Sequence, residues 1–324
     1  MMKSFYHISA KTVEEAVTLL QDYKDRAKLI AGGTDLLGAL KDKILPDYPE
    51  VIINIKTIPG LDFIKVDKKG LRIGALTKLA DIAESPAVNE RYKLLAEAAE
   101  SVATPQIRNM GTIGGNLCQD VRCWYYRYPH QVGGRILCLR KGGDKCFVFR
   151  GDNRYHAIFG RDVCRAVCAS DTAIALTSLD AKVKIAGLSG IRTIPIRDFF
   201  GSVRNILEAD EMVTEIQVPR PLENSRQTFL KFRLRKAVDF PIVSVASVIT
   251  ISHGICEDAR IVIGAVAPRP IRSTQAEQTI KGRAIDAAMA EAASEAAISP
   301  ALPLNRNRYK VEIAKTLIKR AILS

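Results

Sequence analysis

Six of the seven cysteines fall between Cys118 and Cys168. The stretch 116–127, NLCQDVRCWYYR, holds two of them together with the chain's only tryptophan and two tyrosines. Cys138, Cys146, Cys164 and Cys168 follow, and Cys256 stands apart. Where thiols stay reduced, a cluster of this kind is more often a set of metal ligands or redox groups than a disulfide framework. From Met110 to Cys168 hydrophobic periodicity disappears and Gly, Arg, Tyr and Cys dominate. An aperiodic segment of that length is unusual inside a folded domain, so something other than an apolar core is expected to order it.

Two glycine-rich loops are the second feature. AGGTDLL (31–37) follows the apolar run KLI and leads into a helical pattern, and TIGGN (112–116) repeats the paired glycine beside a hydroxyl and an amide. Paired glycines at such a junction let backbone N–H groups approach phosphate oxygens. Each loop alone also reads as an ordinary turn. Neither GxGxxG nor GxxxxGK[ST] occurs, and HExxH and GxSxG are absent, which argues against Rossmann, P-loop, metallohydrolase and serine-hydrolase chemistry.

Thr12 and Glu15 form a capping box for a helix over 12–24, with Val13, Ala16, Leu19 and Leu20 on one face. Strands are expected at 28–30, 51–55 and 71–75, a helix capped by Thr77 runs to Ser85, and a long helix spans 89–102. Residues 171–187 read as helix then strand, and 217–226, with two prolines, as an inter-domain linker. Three strand-like runs follow (TFLKFRLR, IVSVASVITIS, RIVIGAVA), then helices at 286–298 and 308–323. Such alternation gives a mixed α+β chain.

At 324 residues the chain is long enough for two domains, and 47% hydrophobic with 26% charged residues is ordinary for a globular protein. The excess of 48 Lys+Arg over 35 Asp+Glu, net +13, is scattered and not gathered in a stripe with aromatics. That argues against nucleic-acid binding and leaves a solvated basic surface, an acidic partner subunit or a phosphate-rich ligand. No apolar run is long enough to span a bilayer, and the first residues lack the apolar core of a signal peptide, so a cytoplasmic location is expected.

AGGTDLL, then ESVATPQIRNMGTIGGNL, ASDTAIALTSLDA and IGAVAPRPIR, in this order and over nearly the whole chain, resemble the FAD-binding medium subunit of the xanthine dehydrogenase family of molybdenum hydroxylases. The resemblance implies a flavin domain of the p-cresol methylhydroxylase/vanillyl-alcohol oxidase type in two α+β lobes (1–218) and a C-terminal α+β domain of the CO dehydrogenase flavoprotein type (219–324). It places Leu29, Ile30, Ala31, Gly32, Gly33, Thr34, Asp35 and Leu36 around the FAD pyrophosphate, with Thr112, Ile113, Gly114, Gly115 and Asn116 as the second wall. Val102, Gln119, Asp171 and Lys231 fall at further flavin-contact positions. Asp171 reads equally well as a helix N-cap, and Lys231 as a surface strand residue.

The insertion between TIGGNL and SD resembles the subset of that family with an additional [4Fe–4S] cluster. The best match is the flavin subunit of 4-hydroxybenzoyl-CoA reductase, followed by that of a bacterial periplasmic aldehyde oxidoreductase. Carried over by position, the cluster ligands are Cys123, Cys138, Cys146 and Cys164, within an iron–sulfur loop over 122–164. Structural zinc and uncoordinated thiols remain alternatives, although none of these four forms the tight C-x2–4-C pair usual for zinc. Cys118 lies close enough to Cys123 to exchange roles with it. The Trp124–Tyr126 run reads either as a cover for the cluster or as a partner-facing patch. The resemblance further implies a molybdopterin large subunit carrying the substrate site, a [2Fe–2S] small subunit, a dimer of heterotrimers and an external carrier such as ferredoxin. An aldehyde or N-heterocycle oxidoreductase with the same cofactors is the alternative to a 4-hydroxybenzoyl-CoA reductase. A stand-alone flavoprotein or metal-ordered binding module is the alternative from another class.

Overall fold

The computed structural model describes residues 2–160 and 164–324. Positions 161–163 of the expected iron–sulfur loop lie outside the described residues. The first helix, Val13–Tyr23, starts where its sequence says it should. Thr12 Oγ1 accepts from Glu15 N at 3.1 Å, and the Glu15 carboxylate accepts from the backbone N–H of Lys11 at 2.6 Å. Its buried face, Ala16, Val17 and Leu20, packs on a parallel sheet of β1 (Tyr6–Ser9), β2 (Ala27–Ile30) and β3 (Val51–Asn54), ordered β1-β3-β2.

A second, antiparallel sheet contains β4 (Ile64–Asp67), β5 (Gly70–Gly74), β6 (Lys182–Gly187), β7 (Gly190–Pro195) and β8 (Met212–Pro219) in the order β4-β5-β8-β6-β7. The third sheet runs β12-β11-β10-β9, from β9 (Ser225–Phe232), β10 (Val243–Ser252), β11 (Ile255–Gly264) and β12 (Ile271–Arg272). One face of it, including Val243, Val245 and Ile249, packs on the helices Thr274–Ile280, Ala287–Ile298 and Tyr309–Leu323. Through Ala246, Val248 and Val262 the other face joins the core formed with the helices Lys93–Glu100 and Asp171–Ser178. Burial on both faces explains why IVSVASVITIS shows no polar alternation.

Three expectations need correction, and one helix is additional. The helix expected over 89–102 is two helices, Pro86–Arg91 and Lys93–Glu100, because the fully buried Tyr92 between them leaves helical geometry at φ −127°, ψ 40°. Thr77 does not cap the next helix: its buried hydroxyl donates to Phe63 O at 3.0 Å, and the helix begins at Leu79. Half of the expected linker at 217–226 is strand, and the connection between β8 and β9 is residues 220–224. The helix Thr274–Ile280, capped by Ser273, was not anticipated.

Residues 119–170 are largely irregular among the described residues, with one short helix, His130–Gly133, and two 3-10 turns. The segment nevertheless has a small apolar core, contrary to expectation: Val121, Tyr126, Val148 and Ala166 pack with Ala39, Ile44 and three buried cysteines. Its later part is tied to the C-terminal helices. Asn307 Nδ2 donates to the carbonyls of His156 and Ala157, both at 3.2 Å, and the buried Lys310 Nζ donates to His156 O at 3.0 Å and Ala265 O at 2.7 Å. No helix among the described residues is long and apolar enough to cross a membrane.

Candidate cofactor cleft and cysteine pocket

The two glycine loops meet. A Cβ added at Gly32 would stand 2.0 Å from Met110 O, so only glycine lets the loop after β2 lie against the backbone that leads into TIGGN. Thr112 then caps the helix Ile113–Cys118, its Oγ1 accepting from Gly115 N at 3.1 Å. Gly114 packs on Ala75, whose carbonyl oxygen would be 2.8 Å from an added Cβ, whereas a Cβ at Gly115 would meet only Thr112 Oγ1 at 3.1 Å. The third motif is pinned to the second: Ser170 and Thr172 hydroxyls both donate to Asn116 Oδ1, at 2.6 and 2.7 Å.

Between these loops lies a cleft of about 840 Å³, within the range of about 300–1,000 Å³ usual for cofactor and ligand sites. Of the residues that the sequence put around a flavin, all line this cleft except Ile113, which is buried in the core. Ile113 is the first residue of the helix, and its side chain points inward while the glycines after it face the space. The backbone N–H groups of Gly32, Gly33 and Thr34 donate to no acceptor among the described residues. Such N–H groups on a glycine loop suit phosphate oxygens. By size and donor chemistry the cleft fits a dinucleotide.

At one end of the cleft Lys231 Nζ sits 2.7 Å from Asp171 Oδ2 and 2.9 Å from Ser101 O. Lys231 is therefore no surface strand residue, and Asp171 is not the N-cap, a role taken by Ser170, whose Oγ accepts from Ala173 N at 3.1 Å. Burial pushes the Asp171 carboxyl up, opposed by Lys231.

Asp35 lines the cleft, but its carboxylate is committed elsewhere. Oδ1 lies 2.9 Å from both Arg122 Nη2 and Arg127 Nη2, and Oδ2 accepts from Asp120 N at 3.0 Å. Burial alone would raise this carboxyl, yet the two arginines hold it below the ordinary carboxylate range. Arg122 also donates to Gln119 Oε1 at 3.0 Å and lies over the Phe240 ring at 4.2 Å. Burial and the neighbouring Arg127 bring it down to about 10. Asp35 is thus a strut from the first glycine loop to the cysteine-rich segment.

Cys123, Cys138, Cys146 and Cys164 line one pocket with Tyr125, Tyr126, Arg140, Phe147 and Val148. Cys118 lines the flavin-sized cleft instead, Cys168 packs at the edge of the main core, and Cys256 lies in β11. Tyr125 and Tyr126 cover the cysteine pocket, while Trp124 is exposed and stacks on Tyr155 at 5.5 Å between ring centroids. Burial pushes the Cys123 thiol up to about 12, and His156 Nε2 lies 3.3 Å from its sulfur. The cavity volume between the thiols is about 10 Å³, and among the described residues no three Cys, His, Asp or Glu side chains are grouped to hold a metal ion. Four thiols with no carboxylate among them match a cluster's donor set, and a cluster would have to part them.

Sequence reasoning missed Arg140, which lines both the cleft and the pocket, the place of Tyr126 on the cleft as well as on the pocket, and the Arg122–Asp35–Arg127 network. The acidic residue of AGGTD and four arginines close together in 122–140 were the available signals.

Comparison with known proteins gives a consistent picture. Residues 3–221 match the model of the FAD binding domain in molybdopterin dehydrogenase, and residues 228–324 that of the CO dehydrogenase flavoprotein C-terminal domain. The chain is 32% identical over 323 residues to the aldehyde oxidoreductase FAD-binding subunit of Escherichia coli, covering 97% of this chain and 96% of that one. It is 31% identical over 287 residues to the nicotinate dehydrogenase FAD-subunit of Eubacterium barkeri, covering 87% and 81%. The structure matches a chain of carbon monoxide dehydrogenase from Hydrogenophaga pseudoflava with a TM-score of 0.80 at 29% identity, over 100% of this chain and 97% of that one.

Proposed function

The chain belongs to the family of FAD-binding medium subunits of molybdenum hydroxylase-type dehydrogenases, and from that premise we propose that it is the FAD- and [4Fe–4S]-containing electron-transfer subunit of a heteromeric oxidoreductase. The observation that carries this reading is the single cleft onto which both glycine loops, the SD pair and Lys231 converge. Flavin accepts electrons in pairs and releases them singly, which suits a relay between a two-electron centre and one-electron carriers. The chain's own residues do the holding. The N–H groups of Gly32–Thr34 and the helix start at Thr112–Asn116 would hold the pyrophosphate, and the buried Lys231–Asp171 pair would set the polarity where it lines the cleft.

We read residues 1–218 as the flavin domain and 219–324 as the C-terminal domain. Cys123, Cys138, Cys146 and Cys164 are proposed as the cluster ligands, on the strength of their shared pocket and their match to the iron–sulfur subset. The proposed partners are a molybdopterin large subunit, a [2Fe–2S] small subunit and an external carrier such as ferredoxin, in a cytoplasmic dimer of heterotrimers. The loop motifs favour 4-hydroxybenzoyl-CoA as substrate of the complex. Near full-length similarity to an aldehyde oxidoreductase subunit favours an aldehyde as the second reading.

Anaerobic purification from the native host tests the assignment. About four irons and four sulfides bound to this chain are expected, beyond those of co-purifying subunits. The Cys123→Ala variant should lose that iron while keeping FAD, since the glycine loops lie outside residues 122–164. Zinc in place of iron and sulfide, or iron that survives loss of Cys123, would defeat the cluster reading. Turnover of substrate by this chain alone would defeat the subunit reading.

A further inference from the structure

Among the described residues, two side chains line both the flavin-sized cleft and the cysteine pocket: Tyr126 and Arg140. Tyr126 is buried and fixed, its hydroxyl donating to Asp120 Oδ2 at 2.9 Å, and Asp120 N is in turn held by Asp35. Arg140 spans the same wall. Its Nε donates to Cys164 Sγ at 3.1 Å, and its guanidinium carbon lies 6.0 Å from the centre of the Tyr126 ring. Its Nη2 is buried and has no hydrogen-bond partner among the described residues. A guanidinium cannot shed its charge, so this cation stays positive between the two sites whatever they hold.

A charge in that position has a definite consequence for a cluster on these thiolates. Reduction adds one electron and one negative charge to the cluster. An N–H···S bond and a fixed positive charge favour the more negative state, and they act strongly where water is excluded. Lys141, nearly buried, adds a second cation on the same side, 5.6 Å from the Tyr126 ring. His156 places a ring nitrogen 3.3 Å from Cys123 Sγ, but it lines neither cavity.

We propose that Arg140 is the positioning residue shared by the two sites: it orients Cys164 Sγ and raises the reduction potential of the cluster relative to the flavin, which sets how readily electrons pass between them. This rests on the reading of the four cysteines as cluster ligands. It singles out Arg140 because no other side chain among the described residues both bonds a ligand sulfur and lines the cleft.

The test is a redox titration of the anaerobically purified complex, monitored by the electron paramagnetic resonance of the reduced cluster, with iron and FAD counted in every sample. Arg140→Met removes the charge and the N–H donors while keeping a side chain in the wall, and Arg140→Lys restores the charge alone. Both variants should keep their iron and FAD. Arg140→Met should shift the equilibrium for cluster reduction at least about tenfold towards the oxidised form, about 59 mV for a one-electron couple. Arg140→Lys should fall between it and the unaltered protein. Full iron with an unchanged potential in Arg140→Met overturns the inference. Loss of iron from both variants also overturns it, because Arg140 would then serve assembly and not tuning. An unaltered protein without the cluster overturns the underlying assignment of the cysteines instead.

Discussion

Lys231 Nζ and Asp171 Oδ2 lie 2.7 Å apart with side chains 4% and 2% exposed, a buried ion pair that joins the third sheet to the helix after the SD motif at the edge of the cleft. Removing one partner leaves an uncompensated buried charge. Lys231→Met should therefore cost about 3–5 kcal/mol in urea unfolding. The double variant Lys231→Met/Asp171→Asn should recover much of that loss yet still bind FAD more weakly than the unaltered protein. A single variant of unaltered stability would show that the pair is open to water.

The paired glycines should separate by mechanism. Gly115→Val places its side chain beside Thr112 in the cleft, so it should lower FAD affinity strongly while the flavin-free protein keeps its melting temperature. Gly114→Val drives atoms into the Ala75 backbone and should lower the melting temperature as well. Differential scanning fluorimetry with and without added FAD distinguishes the two.

Asp35→Ala should leave Arg122 and Arg127 without their shared carboxylate. Losing charge-assisted hydrogen bonds of this kind costs about 1.5–3 kcal/mol, and the cysteine-rich segment should become the first site of limited proteolysis. A digestion pattern identical to that of the unaltered protein would remove Asp35 as the strut.

Lys310 gives a pH signature. Burial brings its ammonium from 10.5 down to about 7. Between those values the unfolded chain holds a proton that the folded chain has released, so stability rises with pH across the window, by up to about 1.4 kcal/mol per pH unit. Unfolding of the unaltered protein and of Lys310→Met at pH 7 and pH 10 should show the unaltered protein gaining relative to the variant. A constant difference would mean that Lys310 stays charged in the fold.

Local features were legible in the sequence where local chemistry decides them. The Thr12–Glu15 cap, the glycine turn between β2 and the next helix, and the strand-like run of β10 all read correctly, since each depends on neighbours within a few residues. Tertiary contacts were not legible. KLLAEAAE has good helix-forming residues on either side of any plausible boundary, and the break at Tyr92 follows from burying that ring in the core. The role of Lys231 depends on Asp171 in a helix sixty residues earlier in the chain, and the role of Gly32 on Met110. Arg140 sits in an aperiodic segment, where a lone cation carries no pattern, and the Trp124–Tyr126 run does not say which of its rings reaches the cleft.

The most direct measurement of the central claim is the amount of flavin released when the purified complex is denatured, expressed per copy of this chain. The account predicts about one FAD per chain, released without covalent attachment and identified as the dinucleotide by chromatography, with the Gly115→Val complex largely depleted of it. A complex that holds no flavin, or one in which Gly115→Val keeps its full complement, would contradict it.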